Sequence, residues 1–329
     1  MHRRPKVFIS TYPFGVHDQT PLSILEKGGI DFVLNAEKRK LKSEEVAEIA
    51  RDVDAIIAGT EDLLPLLTAN PKLKFISRVG IGLDAVPVSA CMDRGIRVSY
   101  TPDAVTMAVS ELTLGLMIAG TRHVVRSDRE LRRKGWSRPI GTRIGESVVG
   151  IIGVGRVGKN VIRMLSEFRP RKILLNDILD KTQEVFDILG SRGIDYEFVS
   201  KERIFLESNI VTLHVPLNAR TRNMIGKKEL DLFRPDCFLI NTARGGIVNE
   251  ADLFNALQAK TILGAAVDVF EYEPYTGPLI ELDNIVLTQH MGSCSFDCRF
   301  LMETQSAAEV VRYFNGEPLL NEIKYEDYI

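Results

Sequence analysis

Val148-Val-Gly-Ile-Ile-Gly-Val-Gly-Arg-Val-Gly158 is an apolar, β-branched run that closes in Gly153-x-Gly155-x-x-Gly158. Val161, Ile162, Leu165 and Phe168 follow at helical spacing. The pattern predicts strand, tight turn, helix. Gly153 permits the turn, Gly155 lets a ligand approach the backbone, and Gly158 lets helix and strand pack closely. The first helical turn, with Arg156 and Val157, offers unpaired N–H groups and the positive end of a dipole to an anion.

Alone, that pattern also fits a plain packing turn. Asp177 makes it more specific. A second strand, Lys172-Ile-Leu-Leu-Asn176, ends at this acid, about twenty residues past the last glycine, where the ribose 2′-hydroxyl of a bound dinucleotide falls. An acid there accepts from that hydroxyl and repels a 2′-phosphate. Ile178 and Leu179 come next, with no arginine to receive one. The expected cofactor is NAD.

The 329 residues suffice for roughly two domains. A net charge of −2 gives no electrostatic reason to expect nucleic acid or an anionic membrane as partner. No apolar run approaches the ~20 residues of a membrane span. The basic start, Met1 to Lys6, is followed only by Val7-Phe-Ile9, too short for an export signal. Cys91, Cys237, Cys294 and Cys298 show no disulfide framework, so a reducing cytoplasm is expected. His290, Cys294 and Cys298 recur every four residues and would share one face of a continuous helix. Gly292 interrupts that window and no fourth ligand is near, so the expectation is two reduced thiols on a helix and no metal.

Taken in order, strands are expected at Lys6–Ser10, Asp31–Leu34, Ala55–Ala58, Leu73–Ser77 and Ile96–Ser99, with helices between them. Alternation of this kind predicts a parallel sheet covered on both faces. Thr101-Pro102 marks the crossing to a second unit. An apolar helix from Thr106 to about Val125 reads as a core helix or, preferably, a dimer contact. The basic stretch Arg126 to Arg138 reads as a solvated face anchored by Trp136. Six strands are expected beyond, at 148–153, 172–177, 210–215, 237–241, 262–269 and 285–288. A helix over Phe300–Phe314, stopped by Asn315-Gly316, is expected to return to the first unit. The fold class is α/β, two doubly wound domains, with a Rossmann NAD-binding domain (102–293) inserted in a flavodoxin-like substrate domain (1–101 and 294–329).

In open α/β sheets ligands bind beyond the carboxyl ends of the strands. Three polar residues stand there: Arg244 after Leu239–Ala243, Glu273 after Val267–Phe270, and His290 after Ile285–Gln289. A guanidinium fits a carboxylate by its planar fork. An imidazole moves protons near neutrality, and a carboxylate beside it orients the ring and favours its charged form. Singly, each has an ordinary structural explanation. Together at successive strand ends they suggest hydride transfer to a 2-keto acid.

The chain resembles the D-2-hydroxyacid dehydrogenase family, the group of D-3-phosphoglycerate, D-lactate, glycerate and formate dehydrogenases. The resemblance runs over nearly the whole chain. It rests on Arg78-Val-Gly-Ile-Gly-Leu-Asp84, Ser110-Glu111, Gly150–Gly158 with Asp177, and Leu213-His-Val-Pro-Leu217. It continues through Ile240-Asn-Thr-Ala-Arg-Gly245, Ala266–Pro274 and His290-Met-Gly-Ser293. It implies Arg244, Glu273 and His290 as the catalytic set, with His290 as acid in reduction, Glu273 its partner, and Arg244 on the substrate carboxylate. It implies substrate contacts at Arg78 and at the N–H groups of Val79 and Gly80. Cofactor contacts are implied at Thr106, the Gly153–Gly158 turn, Asp177, His214, Pro216, Thr242, Asp268 (at the carboxamide) and His290. A homodimer through the 104–125 helix region and closure of a cleft between domains are also implied.

On substrate, the resemblance leans to phosphoglycerate dehydrogenases, where Arg78 matches a phosphate-side arginine. Gly59-Thr60-Glu61 departs from that group, because Glu61 stands where a second arginine is frequent and would repel a phosphate. Glu273 sits where the formate branch resembles Gln. The expected activity is NAD-dependent oxidoreduction of a D-2-hydroxy acid, 3-phosphoglycerate or a related acid. The alternative is an NAD(H)-sensing, corepressor-like binding protein with little turnover.

Overall fold

The computed structural model describes residues 3–325, so the first two residues of the basic start lie outside it. The chain divides into two compact units, Met1–Val105 with Ser293–Ile329, and Thr106–Gly292.

The first unit carries β1 (Lys6–Ile9), α1 (Thr20–Lys27), β2 (Asp31–Leu34), α2 (Ser43–Ile49), β3 (Ala55–Ala58), α3 (Leu64–Ala69), β4 (Phe75–Arg78), α4 (Val88–Asp93) and β5 (Arg97–Ser99). Its five strands are parallel in the order β2-β1-β3-β4-β5. All four residues of β3 are buried, as an apolar strand with helices on both sheet faces requires.

The second unit opens with α5 (Thr106–Thr121) and α6 (Val124–Arg132). Next come β6 (Val148–Ile152), α7 (Arg156–Leu165), β7 (Lys172–Asn176), α8 (Thr182–Leu189), β8 (Tyr196–Phe198), α9 (Lys201–Glu207) and β9 (Ile210–Leu213). It ends with α10 (Lys227–Leu230), β10 (Phe238–Asn241), α11 (Glu250–Gln258), β11 (Gly264–Val267) and β12 (Ile285–Leu287). All pairings are parallel, in the order β12-β11-β10-β9-β6-β7-β8. Chain direction across the sheet reverses between β6 and β9, the switch point where such sheets hold ligands. The sheet has seven strands where six were expected. The extra one, β8, is a three-residue edge strand whose residues are only partly buried and whose centre is Glu197, so it carries no apolar run to betray it.

The expected long helix ends sooner, at Thr121, because His123 adopts a left-handed backbone (φ 54°) and α6 starts anew. Trp136 is not an anchor: it is 79% exposed, and α6 buries none of its residues. α5 packs against α7 and β10. Gly120 is its close-approach point, since a Cβ there would lie 1.9 Å from the Phe238 ring.

α12 (Phe296–Asn315) closes the first unit, packing on α1 and β4 and ending at left-handed Gly316. Because α12 starts only at Phe296, Cys294 precedes it and the expected pair of thiols on one helix does not form. Arg299 and Glu303, one turn apart, meet at 2.7 Å with side chains only 15% and 6% exposed. Together they clasp the loop after β1. Glu303 accepts the Gly15 N–H at 2.8 Å, and Arg299 donates to the Pro13 carbonyl. Glu303→Ala leaves a buried guanidinium without its carboxylate and Gly15 without its acceptor. A loss of about 3 kcal/mol is expected from such a break, read as a lowered urea midpoint at unchanged m-value; an unchanged midpoint would show that the clasp adds no stability.

Candidate active site

The glycine turn follows β6 at the switch point. Gly153 has φ +96°, and a Cβ on it would lie 2.4 Å from the His214 carbonyl oxygen, so only glycine lets this turn pass under the end of β9. Gly158 is confined likewise, its added Cβ meeting the Gly153 carbonyl at 2.1 Å. At Gly155 nothing protein-borne lies within 4 Å of an added Cβ. Two glycines thus serve packing, and the middle one faces open space at the start of a ten-residue helix. Beside that start, α5 brings Ser110 Oγ to 3.4 Å from the Val157 carbonyl, and one turn earlier Thr106 Oγ1 is buried without a hydrogen-bond partner. An open backbone cradle, a helix N-terminus and an orphaned hydroxyl fit a pyrophosphate-containing dinucleotide.

Asp177 follows β7, with its carboxylate turned back on the loop. It accepts from Val154 N–H at 2.6 Å and Leu179 N–H at 2.9 Å. It therefore borders the glycine turn at the edge where a ribose would rest. His214 follows β9 and hydrogen-bonds Thr212 Oγ1 through Nε2 at 3.0 Å. Pro216, two residues on, is exposed. Although part of His214 reaches solvent, burial of its ring holds the pKa down at about 4, so it is neutral at pH 7. Thr242 after β10 is buried and shares a 2.8 Å hydrogen bond with Thr113 of α5.

His290 and Glu273 meet. His290 Nδ1 lies 3.0 Å from Glu273 Oε1 and 2.9 Å from Oε2, leaving Nε2 as the outward nitrogen. Glu273 is fixed in turn by the Phe270 N–H at 3.1 Å. Arg244 is carried by the turn after β10, which Asn241 shapes by donating to the Arg244 carbonyl and accepting the Ala243 N–H. Gly245 lets that turn lie directly on the Glu273 loop, since a Cβ there would sit 2.0 Å from the Phe270 carbonyl. The turns bearing Arg244, Glu273 and His290 therefore converge at one end of one sheet.

Asp268, after β11, is 1% exposed. Its carboxylate accepts from Thr288 Oγ1 (2.6 Å), Met291 N–H (2.8 Å) and Gly292 N–H (2.9 Å), and its carbonyl accepts the His290 N–H at 2.7 Å. The expected place for Asp268 is a nicotinamide carboxamide; in the structure its carboxylate also holds the loop that carries His290. That role was missed from sequence because three of its four partners are backbone groups twenty residues on.

In the first unit, the switch point falls between β1 and β3. Buried Glu61 spans it, accepting the Gly59 N–H at 2.9 Å and Ser10 Oγ at 3.4 Å. Arg78 ends β4 and donates to its neighbour's carbonyl, that of Val79. The Val79 and Gly80 N–H groups, expected to receive a carboxylate, already have acceptors. Val79 continues the ladder to the Ala58 carbonyl (2.9 Å), and Gly80, at φ +130°, donates to Thr101 Oγ1 (2.7 Å). Among the described residues no group of three His, Cys, Asp or Glu is placed to hold a metal ion, and no helix is long and apolar enough to cross a membrane.

Comparison with known proteins gives the following. Residues 114–292 match a family model described as D-isomer specific 2-hydroxyacid dehydrogenase, NAD binding domain. The chain is 34% identical over 325 residues to a glyoxylate reductase of Thermofilum pendens, covering 95% of this chain and 93% of that protein. It is 33% identical over 282 residues to D-3-phosphoglycerate dehydrogenase of Methanocaldococcus jannaschii; the match takes in 84% of this chain but only 53% of that longer protein, about half its length. Among solved structures, an NADPH-dependent glyoxylate/hydroxypyruvate reductase from Sinorhizobium meliloti, in complex with NADP and malonate, superposes with a TM-score of 0.83 at 26% identity, covering 98% of each chain.

His214 makes stability depend on pH. Its ring titrates near 4 when folded and near 6.5 when unfolded, so the unfolded chain takes up the proton first as pH falls. The contribution is complete above about pH 6.5 and is lost between there and pH 4. Urea titrations across that window are expected to show a shallower decline for His214→Gln than for the wild type; parallel curves would mean that the ring is solvated.

Proposed function

Because the chain belongs to the D-isomer specific 2-hydroxyacid dehydrogenase family, we propose that it reduces 2-keto acids to D-2-hydroxy acids with NADH, and runs the reverse oxidation. The observation that carries this reading is the 2.9 Å contact of His290 with Glu273 at the carboxyl end of the sheet whose glycine turn leaves Gly155 open. The dinucleotide, when bound, supplies the hydride. The chain supplies the rest. Glu273 holds Nδ1 and so directs Nε2 toward the reacting oxygen, where the imidazolium gives up its proton in reduction and the imidazole takes it in oxidation. Arg244 grips the substrate carboxylate and fixes the carbonyl face. The turn at Gly153–Gly158, with Arg156 and Val157 in the first turn of α7, receives the pyrophosphate, and Asp177 the ribose.

Glu61, standing where the phosphoglycerate branch that the chain resembles has a second arginine, favours substrates without a distal phosphate. Hydroxypyruvate and glyoxylate are therefore better candidates than a phosphorylated acid. The same reading takes exposed Met107, Ile118 and Val124 of the 104–125 region as the contact with a second copy of the chain, and the cytoplasm as its compartment. NADH consumption with a panel of 2-keto acids, including hydroxypyruvate and its phosphorylated form, tests the proposal. Binding of NADH without turnover on any of them would favour a sensing role.

His290→Ala is expected to lower kcat at least ~100-fold, the smaller end of what a general acid supplies, with NADH affinity kept; near-normal kcat would remove His290 from proton transfer. Asp268→Asn puts an amide hydrogen against a backbone N–H and loosens the loop. Its kcat should fall about tenfold or more, as displacement of a reacting group does, while the NADH Kd stays within a few-fold. A weakened Kd with kcat intact would return Asp268 to the cofactor.

A further inference from the structure

Beside the glycine turn a carboxylate bridges two ammonium groups. Lys159 is the residue after Gly158, in the first turn of α7. Lys181 ends the loop from β7, four residues beyond Asp177. Glu184 stands in the first turn of α8 and binds both, Lys181 Nζ at 2.7 Å through Oε1 and Lys159 Nζ through Oε2. The lysine side chains are only 20% and 32% exposed, so their heads are held where they are. The hydrogen bonds from Lys159 and Lys181 lower the Glu184 pKa, and Lys181 is raised by Glu184 first and by the charge of Asp177 after it. Lys181 closes the β7–α8 loop that Asp177, the acid bordering the ribose position, opens.

Asp177 is therefore an incomplete explanation of a preference for NAD(H). A 2′-phosphate at that edge would face one acid, but the chain also sets two amines, one residue past Gly158 and four past Asp177, of the kind that bind phosphate as point charges. What decides between them is whether those amines are available. We infer that Glu184 is a specificity-determining residue: by engaging Lys159 and Lys181 it withholds both from a 2′-phosphate and so sets the preference for NAD(H) over NADP(H). The inference rests on the proposed dinucleotide site, and not on which acid is reduced there. The Lys181–Glu184 half is readable in sequence at i, i+3 spacing, but the bridge is not, because Lys159 comes from another helix.

Fluorescence titration of NADH and NADPH, without substrate, tests it. The wild type is expected to bind NADH more tightly than NADPH. Glu184→Gln, which keeps shape and removes the charge, should tighten NADPH by about tenfold, the scale for freeing two surface charges. NADH should move no more than two- to threefold. The gain should shrink with added KCl and be largely undone by Lys159→Ala in the Glu184→Gln background. Glu184→Ala should act in the same direction. An NADPH-to-NADH Kd ratio unchanged in both variants overturns the inference, as does a wild type that prefers NADPH. The titration reads binding alone, so it can fail while the keto-acid panel succeeds, and the reverse.

Discussion

His290 is held in the left-handed region of backbone space, at φ 51°, where a side-chain-bearing residue is disfavoured by about 1 kcal/mol. The constraint that keeps it there is the buried carboxylate of Asp268, tied to Thr288 before the histidine and to Met291 and Gly292 after it. Strand β11 fixes Asp268, Asp268 fixes the loop, and the loop fixes the imidazole against Glu273. An acid–imidazole couple at 2.9 Å is thus a consequence of sheet geometry, carried outward through backbone hydrogen bonds instead of through a mobile loop.

The same economy of parts governs the other end of the sheet's switch point. Gly153 and Gly158 are required because carbonyl oxygens occupy the space a methyl group would need, one from β9 and one from the turn itself. Only Gly155 looks onto emptiness. Three glycines that look alike in sequence thus do different things, and the one that touches no protein is the one a ligand would touch. Gly245 repeats the device where the turn after β10, which bears Arg244, lies on the Phe270–Glu271 segment after β11.

Much of this was legible in the chain. Apolar strands buried on both faces announce themselves, as Ala55–Ala58 and Val148–Ile152 do, and both sheet topologies followed from strand–helix alternation. The meeting of His290 with Glu273 was also readable, because strand ends of a parallel sheet share one edge. Other features were hidden for physical reasons. β8 is half-exposed and centred on a charge; the break at His123 is a backbone event at a residue that is neither glycine nor proline. Trp136 misled because an aromatic in a basic stretch reads as an anchor whether or not anything covers it. Asp268 was invisible as an organiser because most of its partners are backbone groups, and the Glu184 bridge because Lys159 lies on another helix.

The most direct measurement is isotopic. NADH carrying deuterium at the transferable C4 position is mixed with the purified protein and hydroxypyruvate or glyoxylate, and the product is analysed by mass spectrometry and chiral separation, with hydroxypyruvate reporting the configuration. The account predicts one deuterium bonded at C2 of the 2-hydroxy acid, and a D-configured product from hydroxypyruvate. A product without deuterium at C2, or one of L configuration, would contradict hydride delivery to a carbonyl held by Arg244 and protonated by His290.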